Sequence, residues 1–121
     1  MKILLVDDDA FLRDMYATKF GEAGYDVVVA KSATQALTVL DEEKHIDVVM
    51  LDMVMPGMSG LEFLKAIGEK EFEKKPKCIV LSNQSESTDI DEAMQAGAVG
   101  YIVKAEMIPS DVVEEVKKLI A

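Results

Sequence analysis

Short apolar runs alternate with segments of helical period along the chain, and the alternation repeats five times. The runs are Ile3 to Val6, Asp26 to Ala30, Val48 to Leu51, Cys78 to Ser82 and Tyr101 to Val103. Runs this short and this apolar fit strands buried in a parallel sheet. Between them, apolar residues fall three and four apart, the spacing of one helix face. Leu12, Met15, Tyr16 and Phe20 make the first stripe, ending at Gly21 or Gly24, and Ala33, Ala36, Leu37 and Leu40 make the second. Leu61, Leu64 and Ile67 form the third and stop near Gly68. Ile90, Ala93 and Met94 form the fourth and stop at Gly97, while Val112, Val113, Val116 and Leu119 form the last. Glycine just past a stripe is the common signal of a helix end. The charged stretch from Glu69 to Lys77 reads as a loop or a frayed helix end. Alternating strands and helices predict an α/β fold, and right-handed crossovers favour one doubly wound (βα)5 parallel sheet with helices on both faces.

Composition narrows this picture modestly. A chain of 121 residues is expected to be one domain, 1–121, and at that size roughly two thirds of the unfolded chain's surface can be buried, enough for a real core. No apolar stretch is long enough to cross a bilayer, so membrane insertion is not expected. The opening run Met1 to Val6 is cut by Asp7 well short of a signal-peptide core. Cys78 is the single cysteine and has no internal disulfide partner. That fits a reducing cytoplasm, the expected location, with Cys78 serving in packing. The formal charge of −10 weighs against nucleic acid as a direct partner, since phosphate binding relies on clustered Lys and Arg.

Candidate chemistry lies at the strand ends. Asp7-Asp8-Asp9 follows the first apolar run, Asp52 the third, Ser82 closes the fourth and Lys104 follows the fifth. In an open parallel sheet the ligand crevice lies outside the carboxyl ends of the strands, so these tips can meet. Carboxylates gathered there repel one another unless a cation joins them, which points to a small divalent metal beside a reactive aspartate. Each residue alone has a plainer reading: Asp9 or Ser82 as a helix cap, Asp52 as the start of a turn, Lys104 as a solvated charge. Together they form the set that phosphoryl transfer needs, namely a nucleophilic carboxylate, metal ligands, a hydroxyl donor and a cation.

Val6-Asp7-Asp8, the stretch Met50-Leu51-Asp52-Met53-Val54-Met55-Pro56-Gly57-Met58-Ser59-Gly60, Val80-Leu81-Ser82 and Gly100-Tyr101-Ile102-Val103-Lys104 occur in order along the chain. Taken together, they resemble the receiver domain of the response regulators of two-component systems, from Lys2 to the final helix. The resemblance implies a flavodoxin-like strand order 2-1-3-4-5. It also implies that Asp52 accepts a phosphoryl group from the phosphohistidine of a sensor histidine kinase or a histidine phosphotransfer protein. Mg²⁺ would be held by Asp8 and Asp52, by Asp7 largely through water, and by the backbone carbonyl of Val54. Lys104 would pair with Asp52 or a phosphoryl oxygen, the Ser82 hydroxyl would bond a second oxygen, and Tyr101 would be the aromatic switch. The surface that responds would be about 88–120, open to a downstream protein or to a second copy in a homodimer formed on phosphorylation. The chemistry expected is that of a signalling domain with phosphoacceptor and autophosphatase activity.

Some positions depart from the family pattern. Ser82 stands where Thr is commoner, which keeps the hydroxyl and loses a methyl. Lys104 is followed by Ala105 and not Pro, so a trans bond is expected there, a cis bond costing about 2.5 to 4 kcal/mol without proline. Asp9 falls where it can cap a helix beginning near Phe11. Met53, Met55 and Met58 ring the site, but soft sulfur does not suit Mg²⁺ and packing is their expected role. His45, the only histidine, lies in a polar turn and is not expected to be a phosphodonor. Three rivals fit less well. A haloacid-dehalogenase-like phosphatase needs a carboxylate at position 54, where this chain has Val54. In a flavodoxin, Asp7-Asp8-Asp9 would repel the flavin phosphate. A constitutive binding module would be expected to lack Asp8, Asp52 or Lys104. The residues from 1 to 121 hold no expected output domain, and a free-standing receiver, a fragment of a longer regulator and a phosphorelay intermediate are open alternatives.

Overall fold

The computed structural model describes residues 1–43 and 45–121. Five parallel strands, β1 (Lys2–Val6), β2 (Asp26–Ala30), β3 (Val48–Leu51), β4 (Lys77–Ser82) and β5 (Ala98–Val103), form one sheet in the order β2-β1-β3-β4-β5. Leu4 lies opposite Val28 on one side and Val49 on the other, so β1 is an interior strand paired along both edges. The crossovers are α1 (Ala10–Glu22), α2 (Ala33–Glu42), α3 (Gly60–Glu69) and α4 (Ser87–Gln95), and α5 (Pro109–Ile120) ends the chain. This is the predicted doubly wound architecture, with the predicted strand order.

Alternation along the strands builds two cores. Leu4, Val6, Val49, Leu51 and Val80 face α2, α3 and α4, packing with Ala36, Leu40, Phe63, Ile67 and Ala93. On the other face, Ile3, Leu5, Val48, Met50, Ile79 and Leu81 face α1 and α5, packing with Phe20, Val112 and Val116. Each helix stripe read from the sequence supplies one of these contacts. Phe20 and Phe63 are fully buried, so truncating either to alanine costs about 3 to 5 kcal/mol.

β1 and β4 each begin one residue before the apolar run, at Lys2 and Lys77, and two features depart further from the pattern. β5 begins at Ala98, well before Tyr101, because Gly100 breaks its apolar run and Val99 faces solvent on the sheet edge. Gly100 leaves the space that Leu119 of α5 fills, a Cβ there meeting Leu119 Cδ1 at 2.5 Å. A 3-10 turn, Lys104–Glu106, follows β5; three residues carry no periodicity from which to predict it. Among the described residues no peptide bond is cis, so Lys104–Ala105 is trans, as expected of an alanine there. Asp9 caps α1, its side chain accepting the Leu12 amide at 3.1 Å.

Candidate functional site

The strand order reverses at β1 and β3, and the site lies at their carboxyl ends. The Asp7 amide donates to the Ala30 carbonyl at 3.2 Å and the Asp52 amide to the Val6 carbonyl at 3.3 Å, so both aspartates continue the sheet's own ladder. Asp7 is buried, 2% exposed. Its Oδ1 accepts the Asp9 amide and its Oδ2 accepts Lys104 Nζ, both at 2.9 Å. Asp52 Oδ1 accepts the Val54 amide at 3.1 Å, closing a turn, and its Oδ2 accepts the same Lys104 ammonium at 2.9 Å. Asp8 is exposed, yet Asp7, Asp8 and Asp52 bring carboxylate oxygens within 4.8 Å of one another.

The loop after Asp52 is held close by α3. Ser59 and Glu62 form a reciprocal capping box, and the Gly60 amide donates to the Met53 carbonyl at 3.0 Å. A Cβ at Gly60 would strike the Asp52 carbonyl oxygen and come within 2.6 Å of Met53 Cα. Only glycine lets the helix start directly behind the aspartate.

Charge at the site is unbalanced. Burial alone would lower the Lys104 pKa, but hydrogen bonds to Asp52 and Asp7 outweigh it and hold the ammonium above its ordinary value. Three acidic groups outnumber the Lys104 ammonium and the nearby Arg13 guanidinium, and the negative charge left over suits a divalent cation. The donor set is oxygen alone, the set that Mg²⁺ takes. Met53 and Met55 are buried in the core and Met58 packs against it, which makes them packing residues as expected.

Ser82 ends β4 fully buried and accepts the Gln84 amide at 3.2 Å. From β5, the half-buried Tyr101 donates its hydroxyl to the Gln84 carbonyl at 2.7 Å, and burial raises its phenol pKa. Val54 is 58% exposed on the loop beyond Asp52. His45 is exposed.

Asp7, Asp8, Asp52 and Lys104 thus converge, and Ser82 and Tyr101 meet through Gln84. Three contacts were not anticipated: Lys104 grips Asp7 as firmly as Asp52, Gln84 links Ser82 to Tyr101 by its main chain, and Arg13 of α1 donates from Nη1 to the Asp7 carbonyl at 3.1 Å. Main-chain partners of this kind leave no side-chain signature. The Arg13 contact alone was traceable, since Arg13 lies on the first turn of the helix that Asp9 caps.

The fold and site define an open, doubly wound α/β domain with an acidic, oxygen-lined centre at its switch point. Residues 3–117 match the family model of the response regulator receiver domain. The chain is 36% identical over 120 residues to the chemotaxis protein CheY of Thermotoga maritima, covering 98% of this chain and 96% of that protein. It is 31% identical over 118 residues to the phosphate regulon transcriptional regulatory protein PhoB of Pseudomonas aeruginosa, covering 98% of this chain and 51% of that one. Among solved structures, a chemotaxis response regulator of Vibrio cholerae superposes with a TM-score of 0.89 at 29% identity, over 98% of this chain and 97% of that one. A response regulator from Thermotoga maritima superposes with a TM-score of 0.84 at 32% identity, over 98% and 96%. The chain belongs to the response regulator receiver family, signalling domains of two-component systems with a phosphoacceptor role.

Proposed function

We propose that residues 1–121 act as one phosphoacceptor domain, in which Asp52 takes the phosphoryl group of a phosphohistidine on a sensor histidine kinase or a histidine phosphotransfer protein. The observation that carries this reading is the Lys104 ammonium, 2.9 Å from both Asp52 and Asp7 beside a third carboxylate, that of Asp8. An Asp52 oxygen attacks phosphorus, the P–N bond breaks, and the electron pair stays on the imidazole nitrogen, which takes up a proton. Lys104 then pairs with a phosphoryl oxygen, and the Ser82 hydroxyl bonds a second. Asp8, Asp52 and the Val54 carbonyl would hold Mg²⁺ directly. Asp7, its Oδ2 already given to Lys104, would act through water. When bound, Mg²⁺ supplies positive charge to the oxygens of the transferred group.

Switching follows from the Gln84 link. When Ser82 turns to the phosphoryl group, its bond to the Gln84 amide changes, and Gln84 is also the partner of the Tyr101 hydroxyl. The disturbance biases the surface built from α4, β5 and α5, residues 88–120, for a downstream protein or a second copy. Hydrolysis of the aspartyl phosphate resets the domain. Among the described residues no helix is long and apolar enough to cross a membrane, and the cytoplasm is the compartment this chemistry expects. The test is labelling by acetyl phosphate with Mg²⁺, read by mass spectrometry: one phosphoryl group on Asp52, and none on Asp52→Asn. Label that persists in the variant would place the acceptor elsewhere.

A further inference from the structure

Asp8 is, among the described residues, the acidic ligand of the proposed metal site whose side chain no protein group holds. Among the described residues, the side-chain bonds of the β1–α1 turn go to its neighbours. Asp7 accepts the Asp9 amide and Lys104, and Asp9 accepts the Leu12 amide. What the protein fixes for Asp8 is therefore its backbone, which aims the Cα–Cβ bond that carries the carboxylate. Two bonds fix that backbone. One is the Asp9 amide to Asp7 Oδ1 at 2.9 Å, and the other is Arg13 Nη1 to the Asp7 carbonyl at 3.1 Å. That carbonyl belongs to the peptide joining Asp7 to Asp8, so rotating it swings the Asp8 side chain away from Asp52.

Arg13 is suited to this task. It is half-buried one turn into α1, and among the described residues no carboxylate lies within ion-pair distance of it. Its hydrogen bond is thus made to the turn and not to a charge partner. A rigid guanidinium holds a carbonyl with less loss of freedom than a lysine stem does, and a charged donor makes the stronger kind of hydrogen bond.

We propose that Arg13 is a positioning residue for Mg²⁺: by holding the Asp7–Asp8 peptide it keeps the Asp8 carboxylate facing Asp52 before the ion arrives. The proposal rests on the reading of the acidic cluster as a Mg²⁺ site. Without the clamp, Asp8 must be ordered as the ion binds, and the cost appears as weaker binding. Electrostatics alone predicts the opposite sign, since deleting a cation beside three carboxylates favours another cation. The direction of the effect therefore separates the two accounts.

The experiment titrates Mg²⁺ calorimetrically into the full chain, wild type, Arg13→Met and Arg13→Lys. Arg13→Met should raise the Mg²⁺ Kd about tenfold, the lower end for residues that orient metal ligands, and Arg13→Lys should fall between it and the wild type. The Mg²⁺ concentration giving half-maximal labelling by acetyl phosphate should rise by the same factor. Arg13→Met that binds Mg²⁺ as tightly as the wild type, or more tightly, overturns the positioning role, as does a reduced maximal labelling rate with an unchanged Mg²⁺ requirement. Wild-type protein that binds no Mg²⁺ overturns the metal site and the inference with it. If Arg13→Met does not fold, Arg13→Lys alone decides, because it keeps the charge and loses the fork; an unchanged Kd there overturns the role.

Discussion

The Tyr101 hydroxyl donates to the main-chain carbonyl of Gln84 at 2.7 Å, and the Gln84 amide is itself bonded to Ser82 Oγ at 3.2 Å. One residue's main chain thus joins the hydroxyl at the site to the aromatic ring on the outer strand. Tyr101→Phe removes one bond and Ser82→Ala the other, each costing about 1 kcal/mol by the usual net value of a hydrogen bond. Because both bonds converge on Gln84, the two changes should not add. A double-mutant cycle in urea should give a coupling of at least about 0.5 kcal/mol. Strict additivity would mean that Gln84 does not transmit between them.

Gly60→Ala tests the packing behind Asp52. The new Cβ meets backbone on two sides, the Asp52 carbonyl and Met53 Cα, and backbone cannot rotate aside as a side chain can. A loss of about 1 to 3 kcal/mol is expected from overpacking, together with slower labelling of Asp52 because the aspartate itself is displaced. Thermal melting and acetyl phosphate kinetics read the two effects separately. A stable variant with an ordinary labelling rate would show that α3 tolerates a small shift without moving the site.

How much of this was legible in the sequence depended on what each feature leaves in the pattern. The strands, the helix faces and the gathering of Asp7, Asp8, Asp52 and Lys104 follow from apolar periodicity and from residues placed just after it. Among the consecutive Asp7, Asp8 and Asp9, the cap at Asp9 was legible from its place before the helix, whereas the burial of Asp7 against Lys104 and the exposure of Asp8 beside Asp52 came from the structure. β5 was read short because Gly100 serves the packing of Leu119, a contact distant in sequence. Gln84 acts through its own main chain, which residue identity does not report, and Arg13 spends its guanidinium on a main-chain carbonyl, a partner that carries no side-chain signature.

Metal binding should appear as stability. Mg²⁺ at tenfold over its Kd is expected to add about 1.4 kcal/mol to unfolding, since only the folded chain assembles the three carboxylates. Asp8→Asn should abolish most of that gain while raising the stability of the metal-free protein, as one charge leaves a repelling cluster. Melting curves with Mg²⁺ and with EDTA measure both. A wild-type melting temperature indifferent to Mg²⁺ would contradict the metal assignment.

Cys78 should be inert until the chain unfolds. Burial under α3 and α4 pushes its thiol up to about 11, so the reactive thiolate is scarce at pH 8. A disulfide reagent should react far more slowly with the native protein than with the chain in urea. The same shift has a sign in stability. A thiol raised in the folded state favours folding fully below the unfolded value, near 8.5, and that contribution is lost as pH rises through about 11. Cys78→Ala should flatten the fall in stability across this window, beyond whatever the lost sulfur costs in packing. An equally steep fall in the variant would assign it to other groups, Lys104 among them, whose raised ammonium also loses its hold on Asp7 and Asp52 in alkali.

The lifetime of the phosphoryl mark is expected to be long for a receiver. Hydrolysis needs a water in line with the Asp52–phosphorus bond, held by a polar side chain near the oxygens. Val54, two residues beyond the aspartate, is exposed but its side chain offers no hydrogen bond. Asn83 is exposed and borders a groove with Lys104, where its side chain is expected to narrow the approach. Gln84 has a polar side chain, but its main chain is engaged by Ser82 and Tyr101, which limits how far the residue can move toward the site. Val54→Asn should supply the missing water ligand and Asn83→Ala should widen the approach, so each should speed dephosphorylation, Val54→Asn by about tenfold if one well-placed hydrogen bond to the water is gained. Decay of purified phosphoprotein in Mg²⁺, followed by mass spectrometry, decides the matter. Unchanged decay in both variants would locate control of the lifetime outside these side chains, in the grip of Lys104 and Ser82 on the phosphoryl oxygens.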